Sequence, residues 1–373
     1  MMLPRFFRYA AQRLRRLDFS LLTLCGALLF AGVLFVYGTG QHTGGRFASF
    51  WMKQLIWIAL GGIAFGVTVL VDYRWLGKWS WLFYLGSVVL LILVLGMGRE
   101  IHGARSWLVI PGGTLQPSEL GKPATLLALA WVGSRPTRWF GRLKLAVGVL
   151  VLAGVPMFLI ALQPDYGTAL VYLQVELVIV FLGGISYKWL LAAGIAVLLM
   201  APVGYGSLAE HQKERIQTFV HPSDDISDAG WNAHQSLLAV GSGGLWGKGY
   251  MKGTQHVLGF LPRTVAPTDF VFSVVAEETG FVGAGAMVCA FFGILVCCLR
   301  AAVLAPDRFG MFLASGAAVL FFVHTYVNIG MTIRAAPIIG IPLPFVSYGG
   351  SFMLCTMITV GLVQNVYIGR NAE

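Results

Sequence analysis

The chain has 373 residues, of which 57% are hydrophobic and only 11% are charged, and its mean hydropathy is +0.77. Soluble domains carry about 25% charged residues, so this composition excludes a soluble enzyme and predicts a membrane protein that crosses the bilayer many times. The net charge of +10 is explained by basic cytoplasmic segments that attract anionic lipid, and no nucleic-acid partner is predicted. The five cysteines fall inside or at the ends of apolar runs, which indicates neither a disulfide framework nor a thiolate metal site.

Apolar runs dominate the chain from residue 19 onward. A membrane-spanning helix needs about 20 residues. Ten runs are long enough or nearly so, at residues 19–39, 51–71, 79–97, 117–133, 145–163, 167–184, 187–206, 269–298, 310–331 and 345–368. The predicted fold is therefore all-α and polytopic, with about ten transmembrane helices in one domain over residues 1–373.

Lysine and arginine predict the orientation. With the N-terminus inside, the inside segments hold 15 of them and the short outside segments hold 6. Short basic loops stay in the cytoplasm, so we expect both termini inside and the long polar segment 207–268 outside. This segment carries apolar residues at helical spacing, around Ile216 and Phe219 and again around Trp231 and Leu238, which predicts short amphipathic helices on the membrane surface.

Asp269 stands where the long polar segment meets the eighth apolar run. A carboxylate at the edge of a membrane helix is costly unless it is paired or takes part in chemistry. Capping is the structural alternative, because Thr268 is a good N-cap and Asp269 would favour a first helical turn. At 100° per residue, Glu277 lies nearer to the Asp269 face than Glu278 does, so Glu277 is the candidate to line the same cavity.

Other acidic residues also cluster near the outer surface, which predicts a polar site that faces outward. Glu119 and Lys122 share a helix face at the start of the fourth run, either as a neutralising ion pair or as binding residues. Asp165 lies in the turn QPDYGT between two runs and is either a simple turn former or a residue of the same rim.

The glycine-rich segment GSGGLWGKG, residues 241–249, invites a nucleotide-binding interpretation but fails the P-loop pattern at both ends. It is either a flexible turn or a cradle whose backbone N–H groups and Lys248 hold a phosphate. The histidines of the long segment, His256 among them, lack metal-ligand spacing and are expected to be isolated on the surface.

The final motif, NIGMTIRAAPIIGIPLPFVSYGGS at residues 328–351, carries too many prolines and glycines to form one helix. Such a segment between spans must be buried in protein or line a cavity. Arg334 lies within it and would meet a phosphate or an acidic neighbour.

Several of these motifs, in this order, resemble the SEDS family of cell-wall glycosyltransferases: QPSEL, QPDYGT, GSGGLWGKG followed by FLP, TDFVFSVVAEETG, and GIPLPFVSYGGS. The resemblance covers most of the chain, and NIGM with the short basic N-terminus favours the elongation branch of the family over the division branch. Pro267 before TDF, Pro123, and Arg334 at a position where glycine is common depart from the family pattern.

The resemblance implies ten spans with an outward-facing active site in a bacterial inner membrane. It implies polymerisation of lipid II into glycan strands, with a class B penicillin-binding protein as partner and Asp269 as the catalytic residue. A divalent cation, Mg²⁺ or Mn²⁺, is the candidate cofactor. The residues expected to bind substrate or pyrophosphate are Glu119, Lys122, Asp165, Arg215, Lys248, Glu277, Arg334 and Ser347.

Two other functions compete with this one: a lipid II flippase or transporter, and a non-catalytic scaffold for a penicillin-binding protein. A transport path would carry ionisable residues at the bilayer midplane, whereas a polymerase needs them at one rim. Glu176, deep in the sixth run, is the one residue that favours transport. We interpret it as a paired structural charge.

Overall fold

The structure, a computed structural model, describes residues 2–41, 49–101, 104–110, 113–135, 141–188, 191–192, 194–195, 206, 210–220, 228–262 and 264–371. The first half of these residues forms helices α1 (Met2–Arg15), α2 (Phe19–Gln41), α3 (Phe50–Leu70), α4 (Tyr73–Lys78), α5 (Ser80–Met97), α6 (Pro117–Gly133), α7 (Gly141–Ala161) and α8 (Tyr166–Leu182). The second half forms α9 (Glu210–Val220), α10 (Asp228–Ser242), α11 (Thr254–Val257), α12 (Val271–Val303), α13 (Arg308–Thr332) and α14 (Gly350–Ile368).

The predicted spans and the helices agree wherever the structure describes them. In the described residues, six helices are long and apolar enough to cross a membrane: α2, α3, α5, α12, α13 and α14. Helices α6, α7 and α8 match the fourth, fifth and sixth runs, while the seventh run, 187–206, lies almost entirely outside the described residues. Helices α9 and α10 confirm the helices predicted in the long polar segment.

A small antiparallel sheet, which the sequence did not predict, connects α5 to α6. Its strands β1 (Arg99–Ile101), β2 (Ala104–Ile110) and β3 (Gly113–Leu115) pair in chain order. Glu100 lies opposite Arg105 and Val109 lies opposite Thr114. Strands this short give little periodicity, so tertiary pairing rather than propensity forms them.

Helices α13 and α14 form the centre of the bundle. In their most apolar windows 67% and 83% of residues are buried, against 22–33% for α2, α3 and α5. The outer helices expose large apolar side chains such as Phe30, Ile63 and Met97. Because lipid is as apolar as these side chains, an exposed apolar face is stable in a bilayer.

Residues 333–349, which we call the irregular segment, join α13 to α14 inside the bundle. Leu343, Phe345 and Val346 are fully buried, whereas Ile333, Ala335 and Gly340 are exposed, so the predicted burial in protein holds for the second half of the segment. Gly32 of α2 lies so close that an added Cβ would come within 2.5 Å of the Phe345 carbonyl oxygen. Gln54 of α3 donates to the Ser347 carbonyl at 3.1 Å. These contacts satisfy backbone groups that lipid would leave unbonded.

Helix α12 is broken at Gly280, where φ is +67° and ψ is −165°. The glycine-rich segment fills the break. The N–H groups of Lys248 and Gly249 donate to the carbonyls of Glu277 and Glu278, and the N–H of Phe281 donates to the Gly244 carbonyl at 2.8 Å. These bonds engage the N–H groups that a phosphate cradle would need, so residues 241–249 serve here as a structural insert.

Candidate functional site

Asp269 lies on a turn just before α12, which begins at Val271 with Phe270 as its N-cap. Thr268, the N-cap of the structural alternative, is not the N-cap of α12: Phe270 occupies that position without a side-chain cap, and the Thr268 hydroxyl donates back to the Val265 carbonyl at 3.2 Å. Asp269 is half-buried. Asp269 therefore lies just before the N-cap of α12 and not in the first turn of the helix, where the sequence predicted it.

Neighbouring elements hold the backbone on both sides of Asp269. Asn328 of α13 donates from Nδ2 to the Asp269 carbonyl at 2.9 Å. Ser347 of the irregular segment donates its hydroxyl to the Thr268 carbonyl, and the Tyr348 N–H donates to the Pro267 carbonyl at 2.8 Å. The turn is therefore fixed by three contacts from two other elements.

Gly340 lies against the Asp269 carboxylate. A Cβ added at Gly340 would come 3.5 Å from Asp269 Oδ2, and the φ of Gly340 is +76°. The irregular segment thus presents bare backbone to the carboxylate. A backbone without a side chain leaves room for a substrate group next to Asp269.

Glu119 and Lys122 form a buried ion pair, with Lys122 Nζ 2.7 Å from Glu119 Oε1. Lys122 also contacts Nε2 of His324 on α13 at 3.1 Å, and Nδ1 of this ring is 3.2 Å from the Pro342 carbonyl oxygen. A cavity of about 20 Å³, lined by these three side chains, by Thr356 and Thr359 and by apolar residues, adjoins the pair. It has room for about one water, and Glu119 Oε2 is buried without a hydrogen-bond partner.

Lys248 and Glu277 form a second ion pair, 2.6 Å from Nζ to Oε1. Glu277 also accepts from the N–H groups of Thr254 at 2.8 Å and Gln255 at 3.1 Å. The carboxylate is fully buried and thereby ties residues 248–255 to α12. The role predicted for Glu277 as a cavity residue beside Asp269 is not supported, because the turn at residues 265–270 breaks the helical phase on which that prediction depended.

His256 is buried between the two glutamates, so its prediction as an isolated surface residue is wrong. Its Nε2 lies 3.4 Å from Glu278 Oε1, and its Nδ1 lies 4.0 Å from Glu277 Oε2.

Burial, together with the nearby charge of Glu278, raises the pKa of Tyr250 in the same loop. The neutral Tyr250 hydroxyl donates to the Leu34 carbonyl of α2 at 2.7 Å.

The remaining predicted site residues lie apart from these pairs. Asp165 caps α8 by accepting from the Thr168 N–H at 3.2 Å, and it accepts from Gln116 Nε2 at 3.0 Å. Arg334 has a φ of +59°, which fits a position where glycine is common, and its Nε is buried without a hydrogen-bond partner. Arg215 lies half-buried on α9.

The structure therefore groups the predicted residues around the irregular segment. Asp269 and Ser347 lie on one side of it, and Glu119 and Lys122 contact it through His324, whereas Lys248 and Glu277 form a separate cluster further along α12. The sequence analysis missed His324, Asn328 and Gly340. A histidine and an asparagine four residues apart in an apolar run were a usable signal, since polar groups in a span are expensive.

Metal ligands do not cluster in the described part of the chain, where no group of three or more His, Cys, Asp or Glu side chains is placed to hold an ion.

The model of one protein family, described as cell cycle protein of the FtsW, RodA and SpoVE type, matches residues 13–371. The chain belongs to this family. Among its relatives in the FtsW/RodA/SpoVE family is a probable peptidoglycan glycosyltransferase FtsW from Trichlorobacter lovleyi, 34% identical over 370 residues that cover 96% of this chain and 94% of the relative. The peptidoglycan glycosyltransferase MrdB of Escherichia coli K12 is 33% identical over 94% of this chain and 93% of its own length.

Solved structures of FtsW/RodA/SpoVE proteins show the same fold. The crystal structure of RodA from Thermus thermophilus superposes with a TM-score of 0.71 at 29% identity, over 96% of this chain and 98% of that one. A chain from a structure of a peptidoglycan synthase complex, which concerns polymerisation and crosslinking, superposes with a TM-score of 0.80 at 29% identity, over 96% of this chain and 99% of that one. The prediction of a polytopic helical membrane protein of this family is confirmed.

Proposed function

We propose that Asp269 is the general base of the reaction that this peptidoglycan glycosyltransferase performs, the polymerisation of lipid II into glycan strands during cell elongation. The enzyme class follows from relatives named peptidoglycan glycosyltransferase, which match nearly the whole chain. The assignment of Asp269 depends on the geometry of its turn.

The proposed step transfers a sugar between two lipid-linked substrates. The 4-hydroxyl of an N-acetylglucosamine on one lipid II attacks the anomeric carbon of the sugar that the other carries on undecaprenyl pyrophosphate. The bond from that carbon to the pyrophosphate oxygen breaks, and the pyrophosphate leaves with the electron pair. Asp269 takes the proton of the hydroxyl. In-line attack inverts the α-linkage to a β-1,4 bond.

The observation that supports this role is the fixed turn beside bare backbone. A general base must be held in place and must be reachable by the proton that it accepts. Asn328 and Ser347 hold the turn of Asp269, while Gly340 leaves space at its carboxylate. The half-burial of Asp269 allows access from one side.

Arg334 is the cation that we assign to the departing pyrophosphate. Lys122 is engaged by Glu119 and His324, and Lys248 is engaged by Glu277 and Thr254. In the part of the chain that the structure describes, Arg334 makes one long side-chain hydrogen bond, 3.5 Å from Nη2 to the Gly230 carbonyl, and its buried Nε is unbonded. Guanidinium groups bind phosphate oxygens in pairs, which suits this role.

The membrane orientation and the partner belong to the same proposal. The bias of lysine and arginine supports cytoplasmic termini and an outward-facing site. The similar chain from a peptidoglycan synthase complex supports a class B penicillin-binding protein as partner, which would supply the crosslinking.

The test compares wild type with Asp269→Ala in glycan chain formation from purified lipid II, with the partner present. We expect the variant to lose about 10²- to 10⁴-fold in rate, the usual contribution of a positioned base. Asp72→Ala is the control, because Asp72 is likewise an aspartate that precedes a helix, which it caps by accepting from the Arg74 N–H, and it lies in a segment predicted to be cytoplasmic. Equal rates for wild type and Asp269→Ala would overturn the assignment.

A further inference from the structure

Helix α13 carries a histidine and an asparagine whose side chains are buried inside the bundle and bond to other elements. His324 is 3% exposed and Asn328 is fully buried. They are four residues apart and so lie on the same helix face. Polar groups are expensive inside a membrane helix, so two of them on one face need a reason.

Asn328 joins the turn of Asp269 to the irregular segment. Its Nδ2 donates to the Asp269 carbonyl at 2.9 Å and to the Ile341 carbonyl at 2.7 Å. One amide nitrogen with two hydrogens thus bridges two backbone carbonyls from different elements.

His324 makes the corresponding bridge to the buried ion pair. The Lys122 ammonium has only donors, so it donates to Nε2 of the ring. The ring proton is then on Nδ1, from which it donates to the Pro342 carbonyl at 3.2 Å. This tautomer satisfies both contacts at once.

The two bridges meet on consecutive carbonyls, those of Ile341 and Pro342. The next residue, Leu343, donates its N–H to the Ser347 hydroxyl at 2.8 Å, and Ser347 in turn donates to the Thr268 carbonyl. Residues 341–347 are therefore bonded to α13 on one side and to the turn of Asp269 on the other.

We propose that Asn328 and His324 are positioning residues that act on the base through residues 341–347. They hold the Asp269 carboxylate in its place relative to the Glu119–Lys122 pair. This inference rests on the proposed function of Asp269. The predicted consequence is a loss of turnover without a loss of substrate binding, because the two side chains bond to backbone carbonyls and to Lys122 and so act on the position of the base.

The experiment measures initial rates of lipid II polymerisation against lipid II concentration, with the partner present. Asn328→Asp keeps the shape but replaces the donor by an oxygen, and we expect kcat to fall about 10- to 100-fold with KM within about twofold. Asn328→Ala gives the same test without an added charge and covers the case in which the aspartate variant fails to fold.

Two variants of His324 isolate its bond to the irregular segment. An asparagine amide can donate from nearly the position of Nδ1, whereas phenylalanine keeps the ring shape without any donor, and both lose the contact with Lys122. We expect His324→Asn to keep kcat within about threefold of wild type and His324→Phe to lose about tenfold. A merely structural role would not separate them in this way.

Thr325→Val is the matched control on the same helix, since the buried Thr325 hydroxyl has no hydrogen-bond partner. It should match wild type. Equal kcat for His324→Asn and His324→Phe, a loss that appears in KM, or an equal loss in Thr325→Val would each overturn the inference.

Asp269→Ala, assayed in parallel, separates the two proposals. If that variant is inactive while the Asn328 and His324 variants keep wild-type kcat, the base stands and the positioning role falls. If Asp269→Ala polymerises at the wild-type rate, the base assignment falls and this inference falls with it.

Discussion

At the scale of single residues, the backbone of Gly340 lies next to the carboxylate of Asp269, the proposed base. Its positive φ is one that residues with a Cβ adopt at a cost of about 1–2 kcal/mol, and its missing side chain leaves the space beside Asp269 Oδ2 open. Gly340→Ala should therefore lower the free energy of unfolding by about 1–2 kcal/mol and also reduce the polymerisation rate. Thermal unfolding and the lipid II assay measure the two effects.

Gly184 provides the control for that prediction. Its φ is +91°, but an added Cβ would have no atom within 4 Å. Gly184→Ala should show a similar loss of stability with an unchanged rate. A rate loss of the same size in both variants would mean that the effect at Gly340 is general strain and not contact with the carboxylate.

Asp269 and Ser347 were predicted from the sequence as site residues, whereas Asn328 and His324 were not. An acidic residue at the start of an apolar run is visible in one dimension, because burial makes it costly wherever it packs. Asn328 and His324 act through carbonyls of residues 341–342, and the positions of those carbonyls depend on a segment without helical or strand periodicity. The carbonyl partners could not be assigned before the bundle was assembled.

At the scale of elements, α12 and residues 248–255 behave as one unit. Glu277→Gln would leave Lys248 without its carboxylate and place an NH₂ group among N–H donors. Breaking a buried ion pair costs about 3–5 kcal/mol, and the partial exposure of Lys248 reduces this to about 2 kcal/mol. We expect faster hydrogen exchange at residues 248–255, measured by mass spectrometry.

Glu278→Gln is the neighbouring control. Glu278 is equally buried and its side chain accepts from the backbone N–H groups of Met251 and Gly253, the latter at 3.4 Å, but its Oε2 has no hydrogen-bond partner. Its substitution should change exchange in the loop less than Glu277→Gln does. The opposite order would show that Glu278 and His256, not Glu277, hold the loop.

The helices themselves were predictable, because each apolar run has the length that a bilayer demands. The contacts of the glycine-rich segment could not be predicted from the sequence. Its glycines indicate a turn, but whether the N–H groups face a phosphate or a broken helix depends on residues 277–282, which lie some 30 positions later. The small sheet after α5 was missed for a similar reason, since its strands are stabilised by each other.

At the scale of the whole molecule, the placement of charge separates a polymerase from a transporter. Glu176 is 2% exposed in α8, and its Oε1 has no hydrogen-bond partner. Among the described residues no ion pair includes Glu176, so the prediction that it is a paired charge stays untested. A single buried carboxyl does not form a path through the bundle.

Glu176→Met, which introduces a side chain of similar length, tests whether Glu176 takes part in transport. Burying an unbonded polar group costs about 1–3 kcal/mol, so the variant should be more stable by about 1 kcal/mol and should polymerise lipid II at the wild-type rate. Glu119→Met, which breaks the buried pair with Lys122, should instead destabilise the protein. Loss of lipid scrambling in Glu176→Met with normal polymerisation would favour the transport function.

The break in α12 at Gly280 has a consequence for biogenesis. The glycine-rich segment is synthesised before α12, yet it supplies the partners for the carbonyls of Glu277 and Glu278 and the N–H of Phe281. Lipid cannot replace those partners, so the segment must enter the bilayer together with the helix that it completes. An added Cβ at Gly247 would come 2.2 Å from the Glu278 carbonyl oxygen. A side chain there would therefore hinder membrane insertion, and the yield of assembled protein should fall.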